Sequence, residues 1–229
     1  MPIDDHWHGT ASALLAAGTR SGVAKNARVI NVRALVPDGF GTWDDAIRAI
    51  DWVTEQALAK PAESHVANFS IWGLGKYPQF DDALRRSVAA GVAWSISAGN
   101  ANGASACDYI AASLGRSTSG VITVGAMNAL TGAVAPYSNQ GPCVEIFAPS
   151  DYPLGPGLLD DRIVGGTSAA APLVAGTLAL RMGTALMSPG EAEGLIKGAA
   201  TVDAVTNLAP NTTNLLLYSI LGKRRAAGS

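Results

Sequence analysis

The segment IVGGTSAAAPLVAG, residues 163–176, joins a glycine turn to an alanine-rich stretch and places Ser168 at the junction. A helix that starts there leaves backbone N–H groups unpaired and carries a partial positive charge, which suits a developing oxyanion. Gly165 and Gly166 permit a tight turn and close backbone approach. Pro172 falls near the first turn, where a missing N–H is cheapest, and Gly176 keeps the helix slim enough to be buried. Two readings follow from this stretch alone. Ser168 is a hydroxyl nucleophile presented at a helix start, or Thr167 or Ser168 caps a buried helix.

Outward from this junction, strand and helix patterns alternate. ARVINVRAL (27–35) is alternating and β-branched and reads as a strand, PDGFG turns, and TWDDAIRAIDWVTEQAL (42–58) carries Ile47, Ile50 and Val53 at helical spacing with Asp44 and Asp45 in its first turn. SHVANFSIWG (64–73) then reads as a buried strand, FDDALRRSVAAG (80–91) as a helix, and VAWSISAGN (92–100) as the next strand. GVITVGAM and VEIFAP add two more. A helix is expected from the Ser168 turn to about Met187, followed by another with Ser188 as cap and Pro189 at its first position. The fold class is α/β, a three-layer, mostly parallel sheet flanked by helices, with ligands at the carboxyl ends of the strands. One domain is expected over residues 1–222, with 223–229 a small, charged tail.

With 229 residues, 48% hydrophobic and 15% charged, the chain is long enough for one continuous core. A formal net charge of −2 gives no basic field for nucleic acid or an anionic membrane. The longest nearly apolar run, Ala169 to Leu180, is short of the roughly 18 residues of a membrane span. No leader pattern is visible in MPIDDHWHGT. Cys107 and Cys143 are two buried thiols or one bridge.

Three stretches align with strand ends and helix starts: HWHGTASALLAAG (6–18), SISAGNANG (95–103) and GGTSAAAPLVAG (165–176). Taken singly, each has a plainer reading. His8 is a helix-start histidine, or with His6 half of a metal site that lacks a suitably spaced third ligand. Asn100 is a turn residue, and SAGNANG imitates a phosphate loop without the full dinucleotide pattern. Together and in this order they resemble the subtilisin-like serine proteases, the proteinase K-like branch above all, as do GVAKNARVINVRAL, NFSIWG, ITVGA and YSNQGPCVEIFAPS.

The resemblance implies Ser168 as nucleophile, His8 as general base and acid, and Asn100 with the Ser168 N–H as oxyanion donors. It implies a peptide-binding surface at Ser70, Ile71, Trp72, Gly73, Ser97, Ala98 and Gly99. It also implies a Cys107–Cys143 disulfide and, with it, secretion. No cofactor is required. Glu145 stands where relatives can offer an aspartate to calcium, and it is read here as a surface carboxylate with no metal bound. Polypeptide substrates, no nucleic acid or membrane partner, and a monomer are expected.

Several departures accompany the resemblance. Members carry an aspartate on a strand upstream of the histidine motif. Asp4 and Asp5 lie too near His8 in sequence for that role and read as solvated loop carboxylates. The expectation is a protease domain without its first strand and aspartate, impaired in catalysis, or else a peptide-binding pseudoprotease. Trp72 stands where a glycine is usual and is expected to narrow the main specificity pocket. Ala169 and Leu173 replace a usual methionine and histidine.

Overall fold

A computed structural model of the chain describes Asp4 and residues 6–153 and 163–219. The expected tail, Asp5 and the residues up to Ile3 lie outside the described residues. Helix α1 (His8–Ala17) and α2 (Trp43–Ala59) precede strands β1 (His65–Phe69) and β2 (Gly73–Leu74). Helix α3 (Pro78–Ala89), β3 (Val92–Ser97), β4 (Tyr109–Ile110), β5 (Val121–Asn128) and β6 (Ile146–Ser150) follow. Beyond them lie β7 (Tyr152–Pro153), β8 (Ile163–Val164), α4 (Thr167–Met182), α5 (Pro189–Ala199), β9 (Thr201–Val202) and β10 (Leu215–Leu216).

The main sheet among the described residues has the order β1-β3-β5-β6-β10-β9. Its first five strands are parallel, and β9 runs antiparallel to β10. The period-two alternation of β3 separates the layers. Val92, Trp94 and Ile96 face a core with Ile50 of α2 and Phe80 and Leu84 of α3. Ala93 faces a second core with Ala170, Val174 and Leu178 of α4 and Ile196 of α5. The architecture is thus a three-layer α/β fold. Because the strands are parallel, the residues after β1, β3 and β6 emerge at one edge, where α4 begins.

Two expected elements differ. Residues 27–35 form no strand, and Val29 and Ile30 are 53% and 50% exposed. The reason is a missing neighbour. The segment is tied to the beginning of β1 by an Arg28–Glu63 ion pair of 2.8 Å, and Trp43 beyond its end packs against Gly73, yet no strand pairs with the outer edge of β1 among the described residues. An alternating sequence without a ladder partner stays extended but unpaired. Helix α4 ends at Met182 rather than near Met187, with Gly183 as its C-cap. Ser188 and Glu191 then form the reciprocal cap of α5.

Cys107 and Cys143 form a disulfide with Cα atoms 5.2 Å apart. Glu145 is not the surface carboxylate expected from sequence. It is 6% exposed, and its Oε1 accepts from Lys197 Nζ at 2.7 Å, while the same ammonium reaches Glu193 at 3.1 Å. The residues there do not fit calcium, since the carboxylate that would bind it already holds a cation. Among the described residues no group of three His, Cys, Asp or Glu side chains could hold a metal, and no helix is long and apolar enough to cross a membrane.

Burial raises the Glu145 pKa from 4.5 to about 7, against the opposing pull of Lys197. The folded chain therefore holds this proton more tightly than the unfolded chain. That contribution to stability is full below pH 4.5 and lost as pH rises through about 7. Calorimetry from pH 4.5 to 8 is expected to show this decline in Tm, and Glu145→Gln is expected to flatten it.

Candidate active site

The turn before α4 is built for close approach. Gly166, the residue that caps α4, has φ 83°, a left-handed conformation that favours glycine, and it makes no side-chain cap. The first helical N–H is satisfied from another segment. Asn100, just past β3, accepts through Oδ1 from Thr167 N at 2.9 Å and from Thr167 Oγ1 at 3.0 Å. Thr167 Oγ1 in turn accepts from Gly99 N at 3.2 Å. Neither Thr167 nor Ser168 caps the helix, so the capping reading of this stretch does not hold. With Oδ1 committed to two donors, the Asn100 amide is fixed so that its Nδ2 donors face away from Thr167.

Ser168 lies one residue into α4 and is partly exposed. Its Oγ donates to the Ser70 carbonyl at 3.3 Å, and Ser70 Oγ donates to the Ser168 carbonyl at 3.1 Å. The second bond has a sequence cause. Pro172 sits in the second turn, not the first, and lacks the N–H that would bond the Ser168 carbonyl four residues back. Ser70, immediately beyond β1, supplies the missing donor. Pattern reading missed this role, although the Pro172 spacing carries the signal for it.

His8 opens α1, and Ala11, one turn on, packs with Ala169 of α4 and Val164. His8 therefore stands on the side of α1 that faces the start of α4. Among the described residues its ring makes no hydrogen bond. It is flanked by Trp7 with ring centroids 6.0 Å apart and by His6 at 6.3 Å. Burial, with a smaller contribution from the neighbouring His6, holds the imidazole below its usual 6.5, only partly offset by Asp4. The ring is neutral at neutral pH. Asp4 lies in the loop before α1, as expected, but it is partly buried and its carboxylate is bonded. It caps α1, accepting from Thr10 N at 2.6 Å, Thr10 Oγ1 at 2.7 Å and His6 N at 3.1 Å.

The remaining expected site residues divide into two groups. Ser70 is 8% exposed, Ile71 and Gly73 are partly exposed and Trp72 is 38% exposed. Ser97 and Ala98 are fully buried, and Gly99 is buried with its N–H and C=O bonded to Thr167 and Asn139. They form a wall behind the site, not a free edge. The Trp72 ring packs edge-on against Tyr109 at 5.6 Å and lies 3.6 Å from where a side chain on Gly99 would begin. It lies across that wall.

A family model described as the subtilase family matches residues 2–217. The chain belongs to the subtilase family. The subtilase chain is 37% identical over 220 residues to alkaline serine exoprotease A of Vibrio alginolyticus, covering 95% of this chain and 39% of that protein. It is 32% identical to subtilisin-like serine protease Pen ch 18 of Penicillium rubens, covering 94% of this chain and 46% of the relative. The chain thus spans less than half the length of these two relatives. A solved cold-adapted subtilisin-like serine proteinase is similar with a TM-score of 0.86 and 33% identity, over 96% of this chain and 77% of that one. The mostly parallel sheet flanked by helices is accordingly the subtilisin-like fold.

The Ser70 linkage is open to direct measurement. Ser70→Ala leaves the Ser168 carbonyl and the Asn68 amide without their partner. The expected cost is about 1–3 kcal/mol, or a Tm lowered by about 2–4 °C per kcal/mol, read by calorimetry.

Proposed function

We propose that this subtilase domain hydrolyses peptide bonds through Ser168, with His8 as base and Asn100 as oxyanion donor. The observation that carries the reading is the Asn100–Thr167 pair of hydrogen bonds, which aims the free amide donors beside the first turn of α4. Ser168 Oγ leaves the Ser70 carbonyl, gives its proton to His8 and bonds to the substrate carbonyl carbon. The oxyanion is met by Asn100 Nδ2 and the Ser168 N–H. Collapse breaks the C–N bond, and His8 returns the proton to the leaving amine. Water then resolves the acyl-enzyme by the same route in reverse.

No carboxylate bonds His8 among the described residues, and this favours a second reading, a peptide-binding domain without turnover. In the first reading the imidazole works as an isolated base whose lowered pKa keeps it neutral, at reduced rate. Substrates are polypeptides, and the domain acts outside the cell, where the Cys107–Cys143 bridge persists.

A serine-directed fluorophosphonate separates the two. The Oγ–P bond forms, fluoride leaves and the proton passes to His8. Mass spectrometry is expected to find the adduct on Ser168, lost in His8→Ala, with a rate that falls only below the ordinary histidine value of 6.5. Absence of labelling in a folded chain would overturn the catalytic reading, and peptide binding that persists in Ser168→Ala would then support the second.

Trp72 is expected to set selectivity at the residue preceding the scissile bond, because its ring fills space against Gly99. A peptide library is expected to be cleaved best after small residues, and Trp72→Gly is expected to move preference towards Phe and Leu. An unchanged profile would show that the ring lies outside the pocket.

A further inference from the structure

Two side chains from two segments bond Gly166, a third, Asp151, bonds one of them, and none of the three is among the groups proposed to touch substrate. Tyr137, in the loop between β5 and β6, accepts the Gly166 N–H at 3.2 Å. Ser150, the last residue of β6, donates to the Gly166 carbonyl at 2.9 Å. The Tyr137 hydroxyl lies 2.9 Å from Ser150 Oγ and 2.9 Å from each carboxylate oxygen of Asp151. Since the Ser150 proton is committed to Gly166, the phenol proton goes to the carboxylate, the stronger acceptor. Burial first, and then the bond to Asp151, holds the Tyr137 phenol above its usual pKa. It stays a donor.

The glycine pair fits this arrangement. A side chain on Gly165 would begin 2.4 Å from Asp151 Oδ1, so the carboxylate fills the place of that side chain. Gly166 has a positive φ and precedes the helix: its carbonyl accepts the Ala169 N–H at 3.0 Å, the first bond of α4, but its own N–H has no partner in sheet or helix. The N–H is held by Tyr137 from the loop before β6, and the carbonyl takes a second donor from Ser150 of β6. Rotation of this peptide would swing the Thr167 N–H off Asn100 and carry the Ser168 N–H and Oγ with it.

We propose that Tyr137, Ser150 and Asp151 form a clamp that positions the nucleophile turn, with Tyr137 as its hub. They are positioning residues and act through Gly166. The inference rests on the reading of Ser168 as nucleophile, and it predicts more than a structural tyrosine would. Loss of the phenol hydroxyl should disturb the chemistry at Ser168 beyond its effect on global stability.

The test follows fluorophosphonate labelling of the full chain over time by mass spectrometry, with amide hydrogen exchange at Gly166 and Thr167 measured by NMR in parallel. Tyr137→Phe is expected to slow maximal labelling by about 10- to 100-fold, the scale of a nucleophile displaced by a fraction of an ångström to one ångström. The half-saturating probe concentration should stay close to that of the parent and the Tm should fall by no more than it does in Ser70→Ala, while Gly166 exchange accelerates. Asp151→Asn, which keeps an acceptor for the phenol, should lose less than Asp151→Ala. Labelling and Gly166 exchange both unchanged in Tyr137→Phe would overturn the clamp. If the parent chain itself is not labelled, the reading of Ser168 fails and the exchange arm alone decides. Accelerated Gly166 exchange in Tyr137→Phe then supports the clamp, and unchanged exchange overturns it. If Tyr137→Phe does not fold, the two Asp151 variants carry the comparison, and equal loss in both overturns the proposal.

Discussion

Everything at this site depends on how closely α4 can approach its neighbours. The helix is buried over most of its length, with Ala170, Ala171 and Val174 against the sheet and Ala169 against α1. At Gly176 the contact is backbone to backbone, because a side chain there would begin 2.5 Å from the Ala16 carbonyl and 2.8 Å from Val23. Small residues on both helices let α1 lie flat on α4, and that approach packs Ala11, one turn beyond His8, against Ala169, the residue after Ser168. A larger residue at 176 would separate the two proposed catalytic groups before it disturbed the sheet.

The helix start is held in place by partners that come from three strand ends. Asn100 beyond β3 takes the Thr167 N–H, Ser70 beyond β1 takes the carbonyl that Pro172 leaves without a helix partner, and Ser150 at the end of β6 takes the Gly166 carbonyl. These contacts are polar, short and spread over more than 90 positions of sequence, so no local pattern contains them. They are also rigid. A parallel sheet fixes the spacing of its strand ends, and the turn inherits that spacing.

This explains which parts of the molecule could be read from sequence. The periodicity of 42–58, 64–73 and 92–100 reports the faces that pack, and α2, β1 and β3 stand where it places them. The motifs around His8, Asn100 and Ser168 are local, so their location at strand ends and helix starts was legible. Residues 27–35 carry an equally good strand pattern, but a strand is defined by its neighbour, and pairing is not written in the segment itself. Glu145 misled for a related reason. Its burial and its ion pair depend on Lys197, 52 residues away on α5. The bonds of Asp4 were not legible either, because a carboxylate six residues upstream of its donor Thr10 falls outside the usual capping spacing.

The outer edge of β1, unpaired among the described residues, bears on the proposed chemistry as well as on the fold. Its carboxyl end leads to Ser70, which is bonded to Ser168, while the segment 27–35 leads to the turn at Gly39 on which the His6 ring rests. The two flanks are linked near their beginning by Arg28 and Glu63 and near their end by Trp43 and Gly73. A strand laid between them, parallel to β1, would end on the side of the sheet where α4 begins. In the proposed mechanism, a carboxylate reaching His8 from there would oppose the desolvation that now lowers its pKa and would favour the imidazolium formed as Ser168 gives up its proton. The strength of His8 as a base and the completeness of the sheet are therefore one question, decided at the edge of β1.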